Sequence, residues 1–190
     1  MNAKDTIVRA MNRSKREGGL RIIISNDALS KSHLQKADHN LIVMTDLSKL
    51  EHEDWVVISA YYAMYQSATA LLKKIGLESK DHATTTAVLE YFFGSQISKD
   101  LIEKFNSLKE KKDKLEAITI EEKYINYLWK AKQTREALQY GVSIGCKESE
   151  MIMKHAREVV SKIKLVIDEL DEKIIGVIST KIRDLQGRKE

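Results

Sequence analysis

The chain has 190 residues, a length that suits one domain with a short appended segment. Its hydrophobic content of 43% is enough to bury a core, and 32% charged residues are typical of a soluble protein rather than a membrane protein. The sequence contains no proline and only eight glycines, which argues against a turn-rich β-sandwich. The composition therefore predicts an all-α protein built from long helices.

The net charge of +4 is concentrated near the start of the chain. We predict a basic N-terminal arm over residues 1–26, which can contact phosphate or simply be solvated, and a single domain over residues 27–190. The first nineteen residues lack the apolar core of a signal peptide. Cys146 is the only cysteine, so an intramolecular disulfide and a cysteine zinc cluster are both excluded. These features fit a protein of the reducing cytoplasm.

Two long helices are predicted in the first half of the domain. The first runs from about residue 27 to 47, because apolar residues recur there at spacings of three and four. The second runs from about residue 54 to 75 and is apolar on most sides, which predicts the central helix of a bundle. It carries too many polar residues for a membrane span, and Gly76 stands where a C-terminal cap is expected. The apolar run at residues 20–24, before the first of these helices, is too short to be assigned to strand or helix.

Shorter helices follow. One is predicted from about Ala83 to Phe93, and another from Ser98 to Leu115. Thr119 and Glu122 form the pattern of a capping box, which would begin a helix that continues to about Gly141.

The last segment, from about residue 148 to 185, has the spacing of a coiled-coil seam and predicts one long C-terminal helix, weakened at Gly176. Such a helix either packs along the whole domain or pairs with a second chain. The residues of this C-terminal seam are Val159, Ile163, Val166, Leu170, Ile174 and Val177.

A family resemblance rests on three pieces of sequence in the expected order. Residues 60–65 read Ala-Tyr-Tyr-Ala-Met-Tyr, and Gly76 and the connector Ser-Lys-Asp-His at residues 79–82 follow. Residues 135–140, Arg-Glu-Ala-Leu-Gln-Tyr, form the third and weaker piece. Together they resemble the HEPN domain family over roughly residues 28–170.

The resemblance implies an up-and-down bundle of four to six helices that commonly forms a homodimer. Family members often work with a minimal nucleotidyltransferase partner, and several are ribonuclease toxins of toxin–antitoxin systems with an R-x4-6-H motif across the dimer interface. In this chain the residue that follows Arg135 after four intervening positions is Tyr140, where the motif has a histidine. Histidine titrates near neutrality, whereas tyrosine, with a pKa of about 10, is a poor base there. Many family helices also carry an arginine before the paired tyrosines, where this chain has Ser59.

Four residues are candidates for phosphate or nucleotide binding. Arg135 can grip phosphate through its guanidinium, or it can be a surface arginine paired with a glutamate. Tyr140 can contact a phosphate or a base, or pack between helices. Lys80 and His82, in the connector, can bind phosphate, although His82 can instead serve the following helix. The tyrosines at 61, 62 and 65 are assigned to the core.

The sequence thus predicts a HEPN-like module that binds nucleotide or RNA as a homodimer, without cofactor or metal. The histidines at 33, 39 and 52 lack a metal-ligand spacing, and the chain has no glycine-rich phosphate loop. The first alternative is a metal-independent ribonuclease that uses Arg135 with Tyr140, or His82 as the base. The second is a helical interaction module with no ligand chemistry, in which the C-terminal seam holds a partner helix.

Overall fold

The computed structural model describes residues 2–13, 19–94, 114, 116–141 and 144–187. Over these residues the chain is a helical bundle with one very small sheet, which confirms the predicted all-α class. The predicted helix from Ser98 to Leu115 lies outside the described residues except for Lys114. The described elements, in chain order, are α1 Ala3–Asn12, β1 Arg21–Ile22, α2 Asp27–Lys49, α3 Glu53–Lys74, β2 Leu77–Glu78, α4 His82–Phe93, α5 Glu122–Gln139, α6 Cys146–Glu169 and α7 Glu172–Gly187.

Helix α3 is the centre of the bundle, as its apolar sequence predicts. It packs against α2, α4, α5 and α6, and most of its side chains are buried. Small residues allow the close approach of its neighbours, since Ala37 of α2, Ala63 of α3 and Val160 of α6 form one buried contact. No helix in the described parts of the chain combines the length and apolar character that a membrane crossing requires.

The sheet ties the start of the chain to the end of α3. Strands β1 and β2 are antiparallel, with Arg21 opposite Glu78, and the Glu78 carboxylate pairs with both Arg21 and the buried ammonium of Lys73. Gly76 makes the turn between α3 and β2 with a φ of +79°, and a Cβ there would lie 2.8 Å from the Ile23 carbonyl oxygen. Glycine therefore fits this turn where a side chain would clash.

The basic N-terminal segment contains helix α1, which packs on α4. Its residues Ile7 and Ala10 are fully buried in the main core. Asn2 caps the helix by accepting a hydrogen bond from the Asp5 amide at 2.8 Å. The division between an arm over residues 1–26 and a domain over residues 27–190 stays a prediction.

Two local predictions are wrong. Helix α5 begins at Glu122 with Glu121 in the N-cap position, so Thr119 does not start a capping box. Tertiary packing explains the difference. Ile120 is buried and its amide donates a hydrogen bond to the Phe93 carbonyl at 2.7 Å, which holds this stretch outside the helix.

The long C-terminal helix is in fact two helices. Leu170 has an extended backbone with ψ 96°, and the Asp171 carboxylate accepts a hydrogen bond from the Ile174 amide at 2.9 Å, which caps the start of α7. The break therefore falls before Gly176, the position where weakening was predicted. Apart from Val177, which is half-buried, every residue of the C-terminal seam is buried against the chain itself.

Candidate functional site

Three helices bring an aromatic, histidine and arginine cluster together. Tyr61 and Tyr65 come from the middle of α3, where they lie one helical turn apart. His82 is the first residue of α4, and Arg135 lies in the last turns of α5. We call this the Tyr61 cluster, and its members are Tyr61, Tyr65, His82, Trp129, Lys132, Arg135 and Glu136.

Tyr61 is the residue that joins the helices. The guanidinium carbon of Arg135 lies 4.7 Å from the centre of its ring, within the range of a cation–π interaction. The Tyr61 hydroxyl lies 3.4 Å from Nδ1 of His82. Burial raises the pKa of Tyr61 to about 12, although the Arg135 charge opposes this shift. The phenol is therefore neutral at physiological pH and cannot act there as a phenolate base.

His82 sits between rings and is 7% exposed. Its ring stacks on Tyr65 with centroids 5.9 Å apart, and Trp129 covers it with centroids 5.5 Å apart. Nε2 lies 3.3 Å from the Thr86 hydroxyl, so both ring nitrogens have a polar neighbour.

The charge state of His82 follows from these surroundings. Burial lowers the pKa of His82 to about 4, and the positive charges of Lys132 and Arg135 act in the same direction. The carboxylates of Asp81 and Glu136 oppose the shift without overcoming it. His82 is therefore a neutral imidazole at pH 7, since its pKa of about 4 lies well below that pH.

Arg135 and Lys132 place two cations beside one another with a single carboxylate between them. Glu136 pairs with the Lys132 ammonium at 2.9 Å but approaches the Arg135 guanidinium only to 3.6 Å. The Arg135 side chain is only 18% exposed, and its Nε is buried without a hydrogen-bond partner in the described structure. A buried donor of this kind is costly, and such cases are often found where a ligand or a water completes the site.

The four sequence candidates separate in space. Arg135 and His82 meet at Tyr61, although 52 residues lie between them in the sequence. Tyr140 is the C-cap of α5 and is 87% exposed, and Lys80 is exposed in the connector before α4. The described contacts of the Tyr61 cluster include neither of these two.

Sequence reasoning did not select Trp129, Lys132 or Glu136 of the cluster as site residues. Lys132 lies three positions after Trp129 on α5 and Arg135 three positions after Lys132, so an i, i+3 spacing of one aromatic and two cations was visible. Of the three tyrosines assigned to the core, Tyr61 is buried and Tyr65 is half-buried, but Tyr62 is 40% exposed, so the assignment is wrong for Tyr62. Tyr61 also contacts Arg135. Its double role was not readable from the sequence, because it depends on how α3 and α5 pack.

The described residues contain no group of three or more histidine, cysteine, aspartate or glutamate side chains that could hold a metal ion. The side chains of the Tyr61 cluster supply two cations, one carboxylate, several aromatic rings and a neutral imidazole.

The fold and this cluster define the class of protein as an all-α bundle whose central helix carries paired tyrosines against a later arginine-bearing helix. Residues 30–166 match the family model described as the HEPN domain. The match spans well over half of the chain, and the chain belongs to the HEPN domain family. No curated protein matches the sequence closely enough to be identified as a relative. Family membership associates this bundle with nucleotides and RNA.

Proposed function

We propose that this HEPN domain binds a nucleotide or RNA through a phosphate held by Arg135 and Lys132. The observation that carries the proposal is the buried and unpartnered Nε of Arg135, in a guanidinium already oriented by the Tyr61 ring. A planar guanidinium suits the paired oxygens of a phosphate, and stacking on an aromatic ring leaves its edge free to bind them.

The surroundings strengthen such a contact. Arg135 is mostly buried, so a phosphate bound there is less screened by solvent than one at an exposed arginine. Lys132, 23% exposed, is close enough to share Glu136 with Arg135 and can supply a second positive charge. Two adjacent cations with one carboxylate leave a net positive charge for an anion.

The proposed assembly is a homodimer that acts with a nucleotidyltransferase partner, as in toxin–antitoxin systems. Family membership supports this part of the proposal. The alternative of a pure interaction module is less favoured. It relied on the C-terminal seam to bind a partner helix, and that seam is almost entirely buried within the chain.

A ribonuclease is the second candidate, and it is favoured by the meeting of His82 with Arg135 at Tyr61. An arginine to bind phosphate and a histidine to move a proton are the minimum for metal-independent cleavage of RNA. The burial of His82 argues against strong activity. An imidazole with a pKa of about 4 is a weak base, and at neutral pH it carries no proton to donate as an acid. Binding is therefore preferred to cleavage.

The first experiment measures binding of end-labelled single-stranded RNA at about 50 mM salt, where phosphate contacts are strongest. Arg135→Ala is compared with Arg157→Ala, which removes the same charge from an exposed arginine of α6 whose contact is Thr45. We expect Arg135→Ala to weaken binding by about tenfold or more and Arg157→Ala to change it little. Equal binding by both variants, or none by the wild type, would reject the phosphate site.

The same samples separate binding from cleavage. Denaturing gels report whether the RNA is cut, and cutting that disappears in both Arg135→Ala and His82→Ala would establish the ribonuclease. Light scattering of the wild type tests the homodimer, for which a mass of twice 21.7 kDa is expected.

A further inference from the structure

The small sheet leaves one edge of strand β1 open. The Ile23 amide donates a hydrogen bond to the Gly76 carbonyl oxygen at 2.9 Å, so the backbone of Ile23 faces β2. Backbone groups alternate between the two edges of an extended strand, and those of Ile22 and Ile24 therefore face away from β2. Within the described residues, Ile24 makes no backbone hydrogen bond. We call this outward side of residues 22–24 the β1 edge.

Two isoleucines expose their side chains beside the β1 edge. Ile24 is 90% exposed, more than any other large apolar side chain in the described part of the chain, and Ile22 is 43% exposed. The two are separated by one residue in the strand, so their side chains share one face of the sheet. Leu29, in the first turns of α2, is a third exposed apolar residue. An open strand edge with exposed apolar side chains is a template for pairing with another chain.

The protein fixes this segment from its inner side. The Ser25 hydroxyl donates a hydrogen bond to the Lys74 carbonyl oxygen at 2.5 Å, and the Asn26 amide donates one to the Lys73 carbonyl oxygen at 3.1 Å. Together with the bond of Ile23, these contacts hold the backbone against the end of α3. A strand that is already ordered loses little conformational entropy when a second strand pairs with it. Ile24 is therefore exposed on a segment that is prepared for pairing.

Positive charge predominates around the β1 edge. The carboxylates of Asp27 and Glu78 are ionised at neutral pH, because hydrogen bonds with Lys74 and with Lys73 respectively lower their pKa values. Three further cations act on the same two carboxylates, so five cations face two carboxylates and leave an excess of positive charge. The three are Arg21, Lys31 and Lys80. A ligand of this edge is therefore favoured when it carries negative charge.

We propose that the β1 edge is a docking site for a partner protein, which adds a short extended segment as the third strand of the sheet. The backbone of that segment pairs with Ile22 and Ile24, its apolar side chains cover these two side chains, and its flanking carboxylates lie near Arg21 and Lys31. A second copy of this chain would bring the same excess of positive charge, which disfavours it as the occupant. Residues 22–24 precede the range 30–166 that the family model matches, and the proposal does not depend on the phosphate site.

Peptide selection tests the chemistry of the partner. The full-length chain is used to select binders from a displayed library of random short peptides. We expect the selected sequences to place apolar residues at alternate positions, with aspartate or glutamate beside them. A synthetic peptide of the selected sequence should protect the Ile24 amide from hydrogen exchange, because that amide gains a hydrogen bond. A library that yields no binder, or binders without acidic residues and alternation, would overturn the proposal.

Substitutions at Ile24 test the place of binding. Ile24→Pro removes the amide that the added strand needs, and Ile24→Asp sets a carboxylate against an acidic segment. Both changes fall on an exposed side chain, and circular dichroism checks that the helices persist. Ile42→Asp is the matched control, since Ile42 is a 61% exposed isoleucine of α2. We expect affinity for the selected peptide to fall about tenfold or more in both Ile24 variants and to stay near wild type in the control. Equal affinity of all these proteins would place the peptide elsewhere and overturn the assignment.

Two other results would give the β1 edge a different occupant. A wild-type dimer in light scattering that Ile24→Pro converts to a monomer would make the occupant a second copy of the chain. RNA binding that is lost in Ile24→Asp and kept in Ile42→Asp would make it a nucleic acid. Either result contradicts a partner protein at this edge, whereas loss of RNA binding in Arg135→Ala concerns only the phosphate site.

Discussion

The guanidinium carbon of Arg135 lies 4.7 Å from the centre of the Tyr61 ring, which fixes a charge of α5 against the central helix α3. The same ring contacts His82 through its hydroxyl, 3.4 Å from Nδ1. One tyrosine thus sets the positions of the two residues with the most evident chemistry in the chain. Changes at Tyr61 should therefore affect both stability and binding.

Tyr61→Leu tests the ring, and Tyr61→Phe is its matched control. Leucine removes the aromatic face below Arg135 and leaves a smaller side chain in the core, so we expect a stability loss of about 1–3 kcal/mol and RNA affinity lowered roughly fivefold. Phenylalanine keeps the ring and loses only the long hydroxyl contact, so both quantities should stay near wild type. Thermal unfolding and anisotropy measure the two effects. Equal affinity of the two variants would show that the ring does not position Arg135.

Most of the fold could be predicted from the sequence, because a long helix repeats its apolar spacing of three and four residues several times. The bounds of α2, α3 and α4 agree with those predicted to within a residue or two, and Gly76 ends α3 as expected. The errors at Thr119 and Leu170 have local physical causes. One is a hydrogen bond to Phe93, and the other is a cap by Asp171, which the apolar spacing does not encode.

The candidate site was only partly readable. Arg135 and His82 were identified one by one, but nothing in the sequence places them on the same ring, since their meeting depends on the packing of α4 and α5 on α3. The family motif pairs arginine with a histidine downstream, which directed attention to Tyr140. In the structure the histidine that meets Arg135 comes from upstream.

Glu136→Gln tests whether the carboxylate competes with the ligand. Glu136 lies 2.9 Å from the Lys132 ammonium and 3.6 Å from the Arg135 guanidinium, and its hydrogen bond with Lys132 lowers the pKa of Glu136. It is therefore ionised at neutral pH and occupies the place that a phosphate would take. We expect the glutamine variant to bind RNA about threefold to tenfold more tightly at low salt, because repulsion of the phosphate is removed.

The control for this substitution is Glu158→Gln, a change of the same charge on α6, which should alter affinity less. Anisotropy titrations over a series of salt concentrations measure both variants. Weaker binding by Glu136→Gln would indicate instead that the carboxylate holds the two cations in place.

Asp81 supports the position of His82 from the start of α4. Its carboxylate accepts hydrogen bonds from the Thr84 amide at 2.9 Å and the Thr84 hydroxyl at 2.6 Å. Although burial opposes the shift, these bonds hold the pKa of Asp81 below its ordinary value. Asp81→Ala should cost about 1–2 kcal/mol, whereas Asp81→Asn, which can still cap the helix, should cost less. Chemical denaturation measures both, and equal losses would show that the charge rather than the cap matters.

The buried His82 makes stability depend on pH. Its pKa is about 4 in the folded chain and 6.5 as the ordinary value, so between these values the unfolded state binds a proton that the folded state does not. The contribution of neutral His82 to the free energy of unfolding is complete above pH 6.5 and is lost as the pH falls towards 4. One pKa unit corresponds to about 1.4 kcal/mol, so we expect a loss of up to roughly 3 kcal/mol across this window.

His82→Gln isolates this contribution, because glutamine keeps a polar group of similar reach without titrating. Carboxylates with lowered pKa values, such as Glu78 and Asp171, also lose stabilisation in acid, but they do so in both proteins. The difference between the two unfolding free energies, measured by denaturant titration from pH 7 to pH 4, therefore reports His82 alone. We expect that difference to shrink as the pH falls. A constant difference would mean that His82 titrates normally, in which case it is accessible enough to serve as a base and the ribonuclease becomes the better proposal.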